Sequence, residues 1–424
     1  MPPPLGMPPA VGPSPQAMPA DDGDAQARAL AEQISATGST GLLRTSVAGS
    51  GETGSFRVAF LTDFFNSTGF LCNATTPCDA AATEDETGRF GALFAVNATP
   101  WRFLEGYAGV HASSNGVGLG AADVSYVAID ATFGVKVFTP TKIKDVVSLG
   151  GELRVLVQSG AGDVKTGDRG VGAEFGLLSS FDFRKMSKKV PMRLHLNGFY
   201  HLDNSADQLV DLEVSRAAAD PQAAGTLTRI PVSRSERFVV GANRVDAMNV
   251  RVGLDMPFAT IQPYLEYSLD VPLNRQGYTC ETQTIAQGDV CLALQDLDDP
   301  FSGDAGYAMV PSRLSIGARA TPFDGRLKGL SAHLAFDIGL SGTSTFIEEV
   351  APEAPWTMYL GLGYVFDGDS SATAPPAAAP PPAPAAAAQH YVRGVVNIQG
   401  TVSPVAGAII GVQGQAVPPV ATGA

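Results

Sequence analysis

His111 and Ser113 stand two residues apart in the run His111-Ala-Ser113-Ser114-Asn115-Gly116, which reads as the end of a β-strand. Residues two apart on a strand project to the same side, so the serine hydroxyl could pass its proton to the imidazole, as nucleophilic catalysis requires. Ser and Asn are equally ordinary where a strand gives way to a loop. The cysteines fall as two close pairs, Cys72 with Cys78 and Cys280 with Cys291, each inside one expected loop. Two loop-stapling disulfides in an oxidising compartment are the simple expectation. No histidine lies near either pair, which argues against zinc. Asp296, Asp298, Asp299 and Asp304 form an acidic cluster, but their spacing is not that of an EF-hand and a solvated loop is expected. No metal or cofactor is implied.

These residues sit within a succession of alternating segments. Gly54 to Phe65, Gly88 to Ala98, Arg102 to Ala112, Asp123 to Thr139, Val146 to Gly160 and Val171 to Arg184 form the first half. Pro191 to Leu202, Met248 to Phe258, Ile261 to Val271, Val310 to Thr321, Gly329 to Gly342 and Thr357 to Phe366 form the second. Each has period-two patterning and is about as long as a tilted membrane-spanning strand, roughly 9 residues or more. The fold expected is all-β, an antiparallel transmembrane β-barrel of about twelve strands. A hydropathy window misses such strands, and no apolar run of about 18 residues offers a spanning helix.

The connections alternate in length. Asn66 to Thr87, Asp203 to Ala247 and Pro272 to Met309 are long; Thr99 to Trp101, Pro140 to Asp145, Lys185 to Val190, Ala259 to Thr260 and Pro322 to Lys328 are short. Long loops on one rim and tight turns on the other is the asymmetry of bacterial outer-membrane barrels, and a sandwich gives no reason for it. The long loops are read as extracellular and both termini as periplasmic. Lys142, Lys144, Lys185, Lys188, Lys189, Arg326 and Lys328 fall in short turns, while the long loops are acidic. The formal net charge of -14 argues against nucleic acid as a partner.

Alternation also separates two faces. Leu194, Leu196 and Tyr200 oppose Arg193, His195 and Asn197; Leu334, Phe336, Ile338 and Leu340 oppose His333 and Asp337. A soluble barrel charged all round would need a large apolar filling, whereas a bilayer gives the apolar face its own solvent. Asp130, Lys136, Glu152, Arg154, Glu174, Arg193, Arg251, Asp255, Glu266, Asp270, Arg313, Arg319 and Asp337 are therefore assigned to the lumen. Their mixed signs imply mutual pairing across a narrow interior, because unpaired buried charge is costly. A thin polar pore and a plugged barrel both satisfy that pattern, twelve strands lying between filled and channel-forming sizes.

Two flanks surround the barrel, assigned to 37–368. Residues 1–36 are a Pro-rich leader in which Asp21 to Ala36 reads as a short helix, with no basic and apolar export signal visible. Residues 369–389 are a Pro/Ala tether. Residues 390–424, with Tyr391 to Gly400 and Ser403 to Val412 as strands, resemble the start of a carboxypeptidase-regulatory-like β-sandwich, too short to bury a core alone.

The last strand, with Tyr359, Gly361, Tyr364 and Phe366 at the polar or aromatic, Gly and terminal aromatic positions, resembles the signal read by the barrel-assembly machinery. Gly41-Leu-Leu-Arg44-Thr, Phe238-Val-Val-Gly241-Ala-Asn-Arg244-Val-Asp246 and Pro263-Tyr-Leu-Glu266-Tyr-Ser-Leu-Asp270-Val-Pro272 resemble the N-terminal barrel of OmpA-like outer-membrane proteins. That resemblance implies outer-membrane lipid as the surroundings and peptidoglycan as a partner if a following domain supplies the binding module. The His111 run is similar to the His-x-Ser-Asn-Gly motif of outer-membrane phospholipase A, but one extra residue separates His111 from Ser114-Asn-Gly, so no enzyme is expected. The leading expectation is a structural, anchoring barrel with a narrow or plugged lumen and disulfide-stapled loops. A small cation-preferring diffusion porin and a surface adhesion or cell-contact protein are the alternatives, with an outer-membrane phospholipase as a remote one.

Overall fold

The computed structural model describes residues 33–51, 53–72, 84–118, 123–139, 146–167, 169–187, 190–221, 228–258, 260–274, 278, 280, 289–292, 310–321, 329–366, 394–411 and 420–423. Cys78, the acidic cluster from Asp296 to Asp304, the leader to residue 32 and the Pro/Ala tether lie outside the described residues.

Twelve strands carry the first unit of the chain. They are β1 (Phe56–Thr68), β2 (Glu86–Trp101), β3 (Leu104–Gly118), β4 (Asp123–Phe138), β5 (Val147–Gly162) and β6 (Gly170–Asp182), followed by β7 (Arg193–Leu202), β8 (Asp246–Asp255), β9 (Ile261–Asn274), β10 (Ser312–Ala320), β11 (Leu330–Ser341) and β12 (Trp356–Phe366). Each pairs antiparallel with its sequence neighbour, and β1 pairs with β12 from Phe56↔Phe366 to Phe64↔Met358, closing the barrel. Strands lengthen beyond the sequence-based bounds mainly at their loop ends, where backbone pairing continues after the hydrophobic alternation has stopped.

The barrel is turned inside out relative to a water-soluble one. Along β1, Phe56, Phe60 and Phe64 are 42%, 49% and 42% exposed, while Arg57 between them is fully buried. Val127, Ile129, Phe133 and Val135 face outward on β4 and Lys136 faces in; Leu334, Phe336 and Leu340 face outward on β11 and Asp337 faces in. Among the described residues no helix is long and apolar enough to cross a membrane, and the strands provide the apolar surface instead.

Glycines in the wall make room for inward rings. Tyr107 on β3 is directly opposite Gly134 on β4, Phe199 opposite Gly176, and Tyr264 opposite Gly317. In each pair a Cβ on the glycine would overlap the ring or its backbone, so the ring lies flat over the neighbouring strand as aromatic rescue of a strand glycine.

Two rims result. The terminal rim carries the start of β1, the end of β12 and the short turns; the opposite loop rim carries the long connections. On the loop rim the chain between β7 and β8 forms α1 (Asp207–Ala219) and α2 (Arg234–Val240). Ser233 and Glu236 make a reciprocal capping box at the start of α2, and Gly241 ends it in the left-handed region at φ 73°.

The expected helix over Asp21 to Ala36 is not helical in its described part. Ile34 instead bridges Thr40 and is buried among Leu42, Leu43 and Leu61. Tertiary burial in the barrel overrides the weak helical spacing there. The second unit, Ser370–Ala424, shows a two-stranded sheet of β13 (Ile409–Ile410) and β14 (Val420–Ala421), with Asn397 bridging Pro404. Neither expected strand forms at its full length, since their apolar residues Val395, Ile398 and Ile409 remain exposed with nothing to pack against in the described residues.

Candidate functional site

The lumen is occupied by the chain's own N-terminal segment. From Gln33 the backbone rises from the terminal rim, reaches its furthest point near Arg44, and returns to Ser50 before entering β1. Bridges Ile34↔Thr40 and Gly41↔Ser46 fold it into two tight loops. Leu42 and Leu43 are fully buried, and with Ile34, Leu61, Leu93 and Tyr264 they form a small apolar cluster in the interior, as Ala48 does with Leu178 and Phe199.

The wall grips this segment mostly by its peptide groups. The Glu266 carboxylate on β9 accepts the backbone N–H groups of Leu43 at 2.9 Å, Arg44 at 3.2 Å and Thr45 at 2.7 Å. Three successive donors round one carboxylate make a small anion nest. Arg319 on β10 does the converse, donating to the carbonyls of Gly41 at 2.6 Å, Leu42 at 2.7 Å and Ile34 at 3.2 Å. Lys136 donates to Thr40 Oγ1 at 2.6 Å and pairs with Glu105 at 3.0 Å; Glu105 in turn accepts the Thr40 N–H at 2.9 Å. Ser46 N–H donates to Asn197 Oδ1 at 2.8 Å, and Arg57 donates to the Ser50 carbonyl. Side chains of the segment reach out as well, Thr40 to Glu105 at 2.6 Å and Ser50 to Thr99 at 2.6 Å. Arg44 pairs with Asp337 on β11 at 2.6 Å and donates to the Tyr359 hydroxyl at 3.1 Å on β12.

All of the residues assigned to the lumen from sequence stand at inward positions of their strands. They fall into groups. Glu266, Arg319, Lys136 and Asp337 hold the segment, and Arg251 donates to the Arg44 carbonyl at 3.3 Å. Arg154 pairs with Glu174, which Arg251 approaches at 3.6 Å, and Tyr107 donates to Glu152. The Arg154 and Arg251 guanidiniums lie over the Phe199 ring, 5.0 and 5.2 Å from its centre. Arg193 pairs with Asp255 at 2.6 Å, and Arg313 bonds the Ala354 carbonyl at 2.6 Å and lies 3.4 Å from Asp337. Asp130 is 3.9 Å from His111 Nδ1, and Asp270 stands at an inward position of β9. On β12, Tyr359 and Gly361 face inward while Tyr364 and Phe366 face outward, at the end paired with the start of β1.

The His111 run is arranged differently from a hydrolase pair. His111 Nε2 lies 2.7 Å from Asp63, so both ring nitrogens face carboxylates. Ser113 bonds Asn115 at 3.3 Å, and Ser114 is exposed on the opposite face of the strand.

A second closure covers the loop rim. Phe65, Phe70, Phe238 and Phe346 pack ring to ring across the mouth, joining β1 and α2 to the last long loop. Above them a buried ionic network ties three loops together. Arg237 pairs with Asp289 at 2.5 Å and Glu348 at 2.7 Å, Arg244 pairs with Glu348 at 2.8 Å and with Glu213, and Arg234 pairs with Asp289. Burial lowers the charged form of Arg244, but Glu213 and Glu348 beside it outweigh that and hold its pKa above the ordinary value. The Cys280–Cys291 disulfide lies in the same cap, and Cys72 is buried and disulfide-bonded, its expected partner Cys78 being outside the described residues.

Sequence reasoning missed the segment and its partners Arg57, Glu105, Asn197 and Tyr359 in that role. The available signal was the Gly/Ser/Thr-rich stretch from Ser35 to Ser55, too polar for a strand yet carrying Leu42 and Leu43.

No protein-family model matches the chain, and no curated protein matches it. Solved structures similar in fold include an outer-membrane channel from Pseudomonas putida F1, at 10% identity over 75% of this chain and 98% of that one, TM-score 0.42. The translocator domain of the autotransporter NalP from Neisseria meningitidis is similar at 11% identity over 74% and 89%, TM-score 0.39. The outer-membrane protein OprD from Pseudomonas aeruginosa is similar at 10% identity over 77% and 97%, TM-score 0.29.

Proposed function

We propose that this chain is an outer-membrane barrel held closed by its own N-terminal segment, a structural body that displays a cross-linked cap rather than an open passage. The observation that carries this reading is the grip of Glu266 and Arg319 on the peptide groups of residues 34–45. Buried ions satisfied by three partners each are not released cheaply, because every lost hydrogen bond to a charge costs about 1.5–3 kcal/mol. The outward apolar belt contacts lipid, the capped loops face the exterior, and both ends of the barrel emerge on the periplasmic side. Assembly through the β12 terminus and anchoring to peptidoglycan through a following domain belong to the same reading.

A gated pore is the second reading. It is favoured by the polarity of the wall: a lumen lined by Lys136, Glu105, Glu266, Arg319 and Asp337 would fill with water once the segment left. Single-channel recording on the full folded chain in a planar bilayer separates the two. A silent wild type, in a preparation shown to be folded by heat-shifted gel mobility, supports the closed body. Discrete cation-selective steps overturn it in favour of the porin.

A further inference from the structure

The terminal-rim end of the lumen holds a group of side chains in which Ser180 both touches the lumen segment and faces a histidine. Ser148, Ser180 and His195 are register neighbours on β5, β6 and β7, all facing inward. Ser180 Oγ lies 2.7 Å from His195 Nδ1, and His195 Nε2 lies 2.9 Å from Asp255 Oδ1. Asp255 is itself fixed by Arg193 at 2.6 Å and by Gln262 at 2.5 Å. An ionised carboxylate only accepts, so Nε2 carries a proton, and in the neutral imidazole Nδ1 turns its lone pair to the Ser180 hydroxyl.

The serine is also oriented. Its Oγ accepts the Ala48 N–H at 2.9 Å while donating to His195, which leaves one lone pair uncommitted. Ser148, Ser180 and His195 border a cavity of about 210 Å³, partly open at the terminal rim. The ring is reversed relative to the usual serine-hydrolase arrangement, in which Nε2 faces the serine. Proton transfer needs a basic nitrogen within hydrogen-bond reach, and either ring nitrogen supplies it.

We propose that Ser180 is an activated nucleophile with His195 as its base, and that the cavity accepts small carboxylic esters. Ser180 Oγ bonds to the acyl carbon while the bond from that carbon to the alcohol oxygen breaks. The hydroxyl proton passes to His195 Nδ1 and on to the departing alkoxide. Water then cleaves the acyl-serine ester through the same relay, releasing the acid and restoring the hydroxyl. The Ser148 hydroxyl, opposite Ser180 across the β5–β6 pair, is placed to donate to the carbonyl oxygen. The cavity volume limits the acyl group to a short chain.

The test uses a fluorophosphonate probe, which loses fluoride to an activated serine, on the full chain folded in detergent, with adducts mapped by peptide mass spectrometry. The expected result is an adduct on Ser180 that is absent after heat denaturation and forms on the order of 100-fold more slowly in His195→Gln. Hydrolysis of p-nitrophenyl acetate is expected to disappear in Ser180→Ala. An absence of adduct on Ser180 in folded wild type overturns the proposal, whatever the variants do. Equal labelling of wild type and a folded His195→Gln overturns it as well.

Discussion

The Glu266 carboxylate accepts the Thr45 N–H at 2.7 Å although the two residues are 221 positions apart in the chain. The same carboxylate takes the two preceding amides, so one wall residue fixes the turn at the far end of the lumen segment.

Glu266→Gln keeps the shape but replaces one accepting oxygen by a donor facing an amide. A loss of about 2–3 kcal/mol is expected from weakened charge-assisted hydrogen bonds, read as a lower urea midpoint for unfolding from detergent. Brief conductance bursts should accompany it in a planar bilayer, as the segment loosens. An unchanged midpoint and a silent trace would show that Glu266 does not hold the segment.

Gly134→Ala places a methyl group into the Tyr107 ring, which lies over that strand. Overpacking of this kind costs about 1–3 kcal/mol. The double variant Gly134→Ala with Tyr107→Leu should recover part of the loss, giving a non-additive cycle in denaturant unfolding.

Burial alone would raise the Glu236 carboxyl, but hydrogen bonds from Arg216 and from the Ser233 backbone outweigh it and hold its pKa below the ordinary value. Its contribution to the cap is therefore complete above the usual glutamate value of about 4.3 and fades as pH falls through the lower folded value. Amide exchange in α2, corrected for intrinsic rate, should be slow at neutral pH and accelerate in acid. The strands should keep their protection over the same range.

Reduction of Cys280–Cys291 removes a staple spanning 11 positions within the cap. Limited proteolysis after reduction should cut first between those residues, leaving the barrel intact on a gel. Cleavage within the strands instead would show that the cap supports the wall.

Much of this architecture was legible in the chain. Period-two runs such as Phe56 to Phe64 and Leu334 to Leu340 marked the strands, and the charged residues opposing them marked the inward face. Alternating loop lengths settled which ends share a rim. The lumen segment was not legible, because residues 37–51 have neither strand nor helix period and gain their order from distant partners such as Glu266 and Arg319, while the helical spacing up to Ala36 pointed elsewhere. The Ser180–His195–Asp255 chain escaped for the same reason: its members lie on three strands, and no local spacing joins them.

Since Arg319 contacts three carbonyls and Glu266 three amides, recognition inside the lumen falls on the peptide groups that every amino acid except proline shares in full. Apart from Leu42, Leu43 and Arg44, the polar side chains of Thr40 and Ser50 and the close-fitting Gly38 and Gly41, the identity of the enclosed residues matters less than the path they trace. Substitutions should therefore accumulate unevenly across the lineage of such a chain, with drift permitted along the occupant and little freedom at the few wall positions that grip it.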